Sequence, residues 1–171
     1  MIRIVTLDEY EPPILKALAK TLYTAFAVGA EHSGSVTVPH GQVEPYDANK
    51  LLDTLPKVQA FADDKVLFLT TRKLSPRKLA SGEAPTAGLS RYKGQKAIVT
   101  SSVIKTLNAD TVKTLARYAM QEIGHAFGLH HCLDPRCAMY PSWTPSYPQG
   151  EASFCVFCRD TSEAAIRMTK S

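Results

Sequence analysis

The sequence predicts an α/β (α+β) fold, a sheet with helices packed on it, followed by a small irregular C-terminal lobe. Three observations carry this. Short β-branched apolar runs alternate with segments whose apolar residues recur at helical spacing. Two strand-like segments, 87–91 and 97–102, are separated by Tyr92-Lys93-Gly94-Gln95 and read as a hairpin. After Gly128 the composition turns loop-like, and all four cysteines lie in 129–158. Alternating strands and helices, then a strand pair, place the chain among sheet-and-helix layer folds.

Element by element, residues 2–7 (IRIVTL) read as a buried strand. Residues 12–28 open with two prolines suited to a first helical turn. They carry Ile14, Leu15, Leu18, Leu22 and Phe26 at helical spacing, which predicts an amphipathic helix. Ser35–Val38 is a further strand candidate. Asp47–Phe61 is a helix candidate with Asp47 as its N-cap. Val66–Thr70 reads as a central strand, and the Pro-, Lys-, Ser- and Gly-rich stretch 72–86 as an exposed loop. A helix is expected from Thr111 to Phe127, capped by Asp110, and a short one from Thr161 to Met168.

At 171 residues the chain is one domain, with a core-forming 44% of hydrophobic residues and 21% charged ones. The net charge of +4 is mild, and Lys and Arg are scattered. The short run Arg72, Lys73, Arg77, Lys78 reads as a solvated loop, so no nucleic-acid partner is expected. No stretch reaches the ~18–20 apolar residues of a membrane span. The N-terminal MIRIVTLDEYEPP lacks the apolar core of a secretory signal. The expected location is the cytoplasm, where thiols stay reduced and four cysteines need a reason other than disulfides.

The chemistry concentrates in 121–139, which reads Q-E-x-x-H-x-x-G-x-x-H-C-x-x-x-x-C-x-M. On a helix 111–127, Val112, Ala116, Ala119, Met120, Ile123 and Phe127 fall on one side, and Tyr118, Gln121, Glu122 and His125 on the other. The first set is expected to pack on the sheet and the second to face a cleft. Gln121 and His125 lie one turn apart, the spacing at which two side chains reach one metal ion. Glu122 is offset by one residue, so it misses the metal but reaches a water beside it, where a general base belongs. Gly128 ends the helix and tolerates the left-handed turn that brings His131 back as a further ligand. Taken alone, each piece also fits an ordinary helix with a C-terminal glycine. Jointly they point to a metal site.

Cys132, Cys137, Cys155 and Cys158 form a C-x4-C…C-x2-C set, the spacing of a closed structural zinc site. Its folding energy would hold together a Pro-rich segment that lacks a core of its own. Two disulfides or a redox C-x-x-C are the competing readings.

These residues resemble the archaemetzincins, a branch of the metzincin metallopeptidases, whose pattern is HExxHxxGxxH, C-x4-C-x-M and a later C-x-x-C. Glu122, His125, Gly128, His131, Cys132, Cys137, Met139, Cys155 and Cys158 match it, while the stretch from Met139 to Cys155 is slightly shorter. The resemblance covers 121–158, about a fifth of the chain. It implies a single metzincin-like catalytic domain over 1–171, with an N-terminal lobe 1–128 and a C-terminal lobe 129–171. It also implies a twisted mixed sheet with a backing helix and an active-site helix, and a zinc-stabilised C-terminal lobe. Met139 becomes the methionine turn beneath the metal, a floor residue rather than a ligand. An extended peptide is expected to pair with a cleft-edge strand, either Ala87–Arg91 or Ala97–Ser102.

The first ligand departs from the pattern. Gln121 offers only an amide oxygen, a weaker zinc ligand than imidazole nitrogen. Three readings follow: zinc held by His125 and His131 with Gln121 or water filling the gap, recruitment of His130, or no catalytic metal. His32 and His40 read as exposed loop histidines, and Tyr140 and Tyr147 as packing or surface tyrosines. The expected function is a zinc-dependent peptidase with Glu122 as general base and a weakened catalytic site beside the structural zinc. The competing readings are an inactive metzincin scaffold that binds peptides and carries the structural zinc alone, and a zinc-ribbon-like interaction protein. The expected partner is an extended peptide or protein substrate, and the expected state a monomer.

Overall fold

Strand alternation sorts the core into two layers in the computed structural model, which describes residues 1–58, 60–108, 111–144, 147–148 and 152–169. In chain order the elements are β1 (Ile2–Thr6), α1 (Pro12–Phe26), β2 (Ala30–Ser35), α2 (Ala48–Thr54), β3 (Lys65–Thr70), β4 (Arg77–Leu79), β5 (Gly82–Ala84), β6 (Gly88–Ser90), β7 (Lys96–Thr100), α3 (Val112–Ala126) and α4 (Val156–Thr169). The main sheet runs β2-β1-β3-β7-β6, with every pairing parallel except the antiparallel β6–β7. Ile2, Ile4, Leu67, Leu69, Ala97 and Val99 pack on α1 and α3. Their neighbours Val5, Val66, Phe68 and Ile98 turn to the opposite face and meet Ala48, Leu51 and Leu52 of α2. β3 is buried at every position, as expected of a parallel strand covered on both faces.

The proline-led α1 buries Ile14, Leu15, Leu18, Leu22 and Phe26, the residues its spacing singles out. Phe26 meets Phe127 of the site-helix terminus and Phe154 of the C-terminal lobe at ring-centroid distances of 5.4 and 5.2 Å. α1 thereby ties the lobe to the sheet layer.

Four expectations are corrected. The second strand is Ala30–Ser35 rather than Ser35–Val38. It is an edge strand with few apolar residues, and its register with β1 slips near Gly34 before the Val36 N–H reaches Thr6 O. α2 stops at Thr54, short of Phe61, although Asp47 does cap it through Asn49 and Lys50 N–H. Leu55 is extended because Pro56 follows it. The stretch 72–86 is not only loop: β4 and β5 pair antiparallel within it, Arg77 opposite Ala84. The last helix starts at Val156, not Thr161, and so takes in Cys158. The expected cap Asp110 lies outside the described residues.

The hairpin expectation holds as β6–β7, and the sheet order separates its two strands. β7 is paired on both sides, whereas β6 ends the sheet, with no partner on its outer edge among the described residues. At Gly88 an added Cβ would lie 2.7 Å from Glu122 Cγ and 2.8 Å from the Ile98 carbonyl. A backbone carbonyl in a sheet has no room to give, so Gly88→Ala should cost about 1–3 kcal/mol. We expect thermal melting to show a fall of several degrees, against no change for Gly29→Ala, whose Cβ would meet only Met1 at ordinary contact distance. Equal melting temperatures would refute the tight fit of β6 on the site helix.

Candidate active site

α3 reaches its chemistry through its C-terminal end. Gly128, at φ +95°, donates its N–H to His125 O, and Leu129 N–H reaches back to Gly124 O. These two bonds form a Schellman turn, which reverses the chain directly after the helix. The reversal brings His131 against His125, with their Nε2 atoms 3.1 Å apart. His125 Nδ1 lies 2.8 Å from Leu129 O. A carbonyl only accepts, so Nδ1 carries the hydrogen and Nε2 keeps its lone pair facing His131. Two nitrogens bound to one tetrahedral zinc at ~2.0–2.1 Å would sit roughly 3.3 Å apart, so the pair fits such an ion. Burial first, then His125 and Arg77, push His131 down to about 4, leaving it neutral at neutral pH. Burial likewise lowers His125.

Glu122 stands beside them, 5% exposed, in a cavity of about 200 Å³ lined also by Arg77, Leu89, Ser90, Tyr92, His125, His131 and Trp143. Burial raises its carboxyl to about 7, against the opposing pull of Ser90 Oγ, which donates to Glu122 Oε2 at 2.7 Å. A carboxyl with that affinity can take up and release a proton near neutrality. A roomier groove of about 830 Å³ lies along Asp8, Glu9 and Tyr10, but none of the candidate site residues lines it.

The polar side of α3 is not a cleft wall throughout. Tyr118 and Gln121 are 7% and 1% exposed because the C-terminal lobe covers them. Tyr118 stacks on Tyr147, and Gln121 Nε2 donates to Tyr140 O at 2.6 Å. Of the four residues expected to face the cleft, only Glu122 and His125 line the cavity. The lobe is anchored by Arg117, 2% exposed, which donates to Pro135 O at 2.7 Å and Cys137 O at 2.9 Å. Met139 is fully buried directly under Gly124, where an added Cβ would meet its sulfur at 2.5 Å. The site helix thus rests on a methionine. His130 turns away, its Nε2 2.9 Å from the Tyr92 hydroxyl and its ring stacked on Tyr92. His32 and His40 are exposed.

The four cysteines converge, with their sulfurs all within 4.8 Å of one another and no disulfide among them. Cys132 and Cys155 Sγ are 3.8 Å apart. This matches the ~3.8 Å edge of a tetrahedron built on ~2.3 Å zinc–sulfur bonds. Backbone N–H groups point at the sulfurs, from Met139 and Cys155 to Cys137, and from Cys158 to Cys155. Cys155 immediately precedes α4, and the Cys158 N–H holds its thiol below the ordinary range. Burial raises Cys137 and Cys158, so all four thiols packed this closely could ionise together only around a cation. The donor set and its spacing fit zinc.

Sequence reasoning missed Ser90, Arg77 and Trp143. Ser90 carried no motif, and Arg77 was grouped with a solvated basic run. Trp143 is the only tryptophan of the chain and gave no spacing signal.

The model of peptidase family M54 matches residues 14–163. An archaemetzincin from Methanopyrus kandleri is 35% identical over 128 residues, covering 73% of this chain and 68% of that protein. The crystal structure of archaemetzincin from Methanopyrus kandleri superposes with a TM-score of 0.77 at 25% identity, over 97% of this chain and 94% of that one. A structure described as a zinc-dependent peptidase from Methanocorpusculum labreanum shares the fold, with a TM-score of 0.71 at 20% identity over 95% and 100% of the two chains. No described helix is long and apolar enough to cross a membrane. Family match, relative and fold agree with the site motif, and the chain belongs to peptidase family M54, the archaemetzincin family of metallopeptidases.

Proposed function

We propose that this chain is a zinc-dependent peptidase that cleaves an extended peptide lying along β6, with Glu122 as general base. The observation that carries the reading is the convergence of His125 and His131 Nε2 at 3.1 Å beside buried Glu122 in one cavity. His125 and His131 would hold the catalytic ion. Gln121 can join them only through Oε1, because its amide nitrogen is committed to Tyr140 O. When bound, the zinc would acidify a water and polarise the scissile carbonyl. Glu122 takes the water's proton and passes it to the leaving amine, while the Ser90 hydroxyl fixes the orientation of its carboxylate. The free edge of β6 supplies main-chain donors and acceptors for the substrate. The four cysteines hold a second, structural zinc. The reading takes 1–171 as one catalytic unit, with lobes meeting after Gly128, acting as a monomer in the cytoplasm.

The Gln121–Tyr140 hydrogen bond also favours a second reading, an inactive scaffold that binds peptides and carries one zinc. Zinc counting with peptidase assays on wild type and Glu122→Gln separates the two. We expect two zinc per chain and a kcat/KM about 10²–10⁴-fold lower in the variant at unchanged zinc content. One zinc per chain with no turnover in the wild type would support the scaffold instead.

A further inference from the structure

Arg77 enters the cavity from outside the motif. It lies on β4, and its guanidinium carbon is 4.2 Å above the Trp143 ring. Trp143 in turn sets its ring at 84° to that of His131, with centroids 4.7 Å apart. Arg77 makes no ion pair among the described residues, although Glu122 lines the same cavity and takes its hydrogen bond from Ser90. A guanidinium held over an indole face still has N–H groups to offer, and its fork of donors matches a planar carboxylate with two parallel N–H bonds. The neighbouring β4–β5 hairpin fixes its position in the cleft.

We propose that Arg77 is a specificity-determining residue that receives a carboxylate of the bound peptide on the face of Trp143. The carboxylate is either an acidic side chain or the free C-terminus of the peptide. The proposal rests on the peptide-binding reading of the site but not on turnover. A cation that forms no ion pair among the described residues, held at the wall of the cavity beside the two histidines, favours anionic over neutral peptides. It does so by charge-assisted hydrogen bonds made only when the carboxylate is present.

Because Trp143 is the sole tryptophan and carries Arg77, its fluorescence reports occupancy directly, with or without catalysis. The zinc-loaded protein is titrated with N-acetylated alanine tetrapeptides. One set is C-terminally amidated with a Glu at each position in turn, a second carries Gln instead, and a third is all-alanine with a free C-terminus. Binding of a Glu peptide or of the free acid about tenfold tighter than the neutral amides is expected. The arm that shows the preference identifies the source of the carboxylate. Arg77→Gln should erase the preference, weakening carboxylate peptides about tenfold more than neutral ones, and Arg77→Lys should retain part of it. If neutral peptides bind and no carboxylate preference exists, Arg77 has no such role and the peptide reading stands. If Arg77→Gln weakens all peptides equally, its role is packing against Trp143, and the proposal is overturned. If no peptide binds at all, the peptide reading itself fails and this inference with it.

Discussion

Gln121→His is expected to bind a second zinc ion far more tightly than the wild-type chain and to raise peptidase activity in step. The reason lies in how many useful atoms each side chain offers at this position. Gln121 is 1% exposed and spends its amide nitrogen on Tyr140 O, 2.6 Å away. That leaves a neutral carbonyl oxygen as its only possible ligand atom. An imidazole carries a ring N–H for the same carbonyl and a second nitrogen for the metal, the pairing in which a backbone acceptor orients a metal-binding histidine. His125 already has this arrangement, with Leu129 O behind it and His131 in front. Partners in that outer position are worth ~10–100-fold in metal affinity, so a restored direct ligand should contribute more than that. Zinc titration in the presence of a competing chelator measures the gain, and Gln121→His with His131→Ala should lose it. A variant that gains neither metal nor activity would mean that positions 121, 125 and 131 do not converge on one ion.

What the sequence made legible, and what it concealed, follows from which forces leave a local pattern. β1, β3 and β7 could be read because burial on both faces imposes short continuous apolar runs, as in Val66 to Leu69. β2 could not, because it pairs mainly through its backbone and its residues Ala30–Ser35 are only partly covered. The end of α2 was written in Pro56, but the apolar residues beyond it suggested continuation. The convergence of His125 and His131 was legible because the spacing of candidate ligands is itself a local property. What covers Tyr118 and Gln121 was not, since a polar face looks the same whether it meets solvent or a second lobe. Arg77 belongs to the same class. Only the β4–β5 hairpin brings it to the cavity, and hairpin placement leaves no trace in the residues around it.

Cys155→Ser should remove at least one zinc and lower the melting temperature by roughly 10 °C, and its effect should extend to the histidines. The lobe it belongs to buries few apolar side chains, among them Ala138, Met139 and Tyr147, and otherwise leans on Arg117 through two carbonyls. Losing even a third of the ~10–16 kcal/mol that structural zinc contributes in small domains would move the transition by about that amount. The coupling to the active site is covalent and close. Cys132 follows His131 directly, and its N–H donates to Met139 O, while Met139 supports Gly124 from below. Opening the cysteine cluster therefore releases one imidazole and the floor of the site helix together, and zinc content at the histidines should fall with it. A strong chelator should reproduce the loss in the wild type, whereas a reductant alone should leave the melting temperature unchanged. The reverse pattern, sensitivity to reductant and indifference to chelator, would identify disulfides in place of metal at these four cysteines.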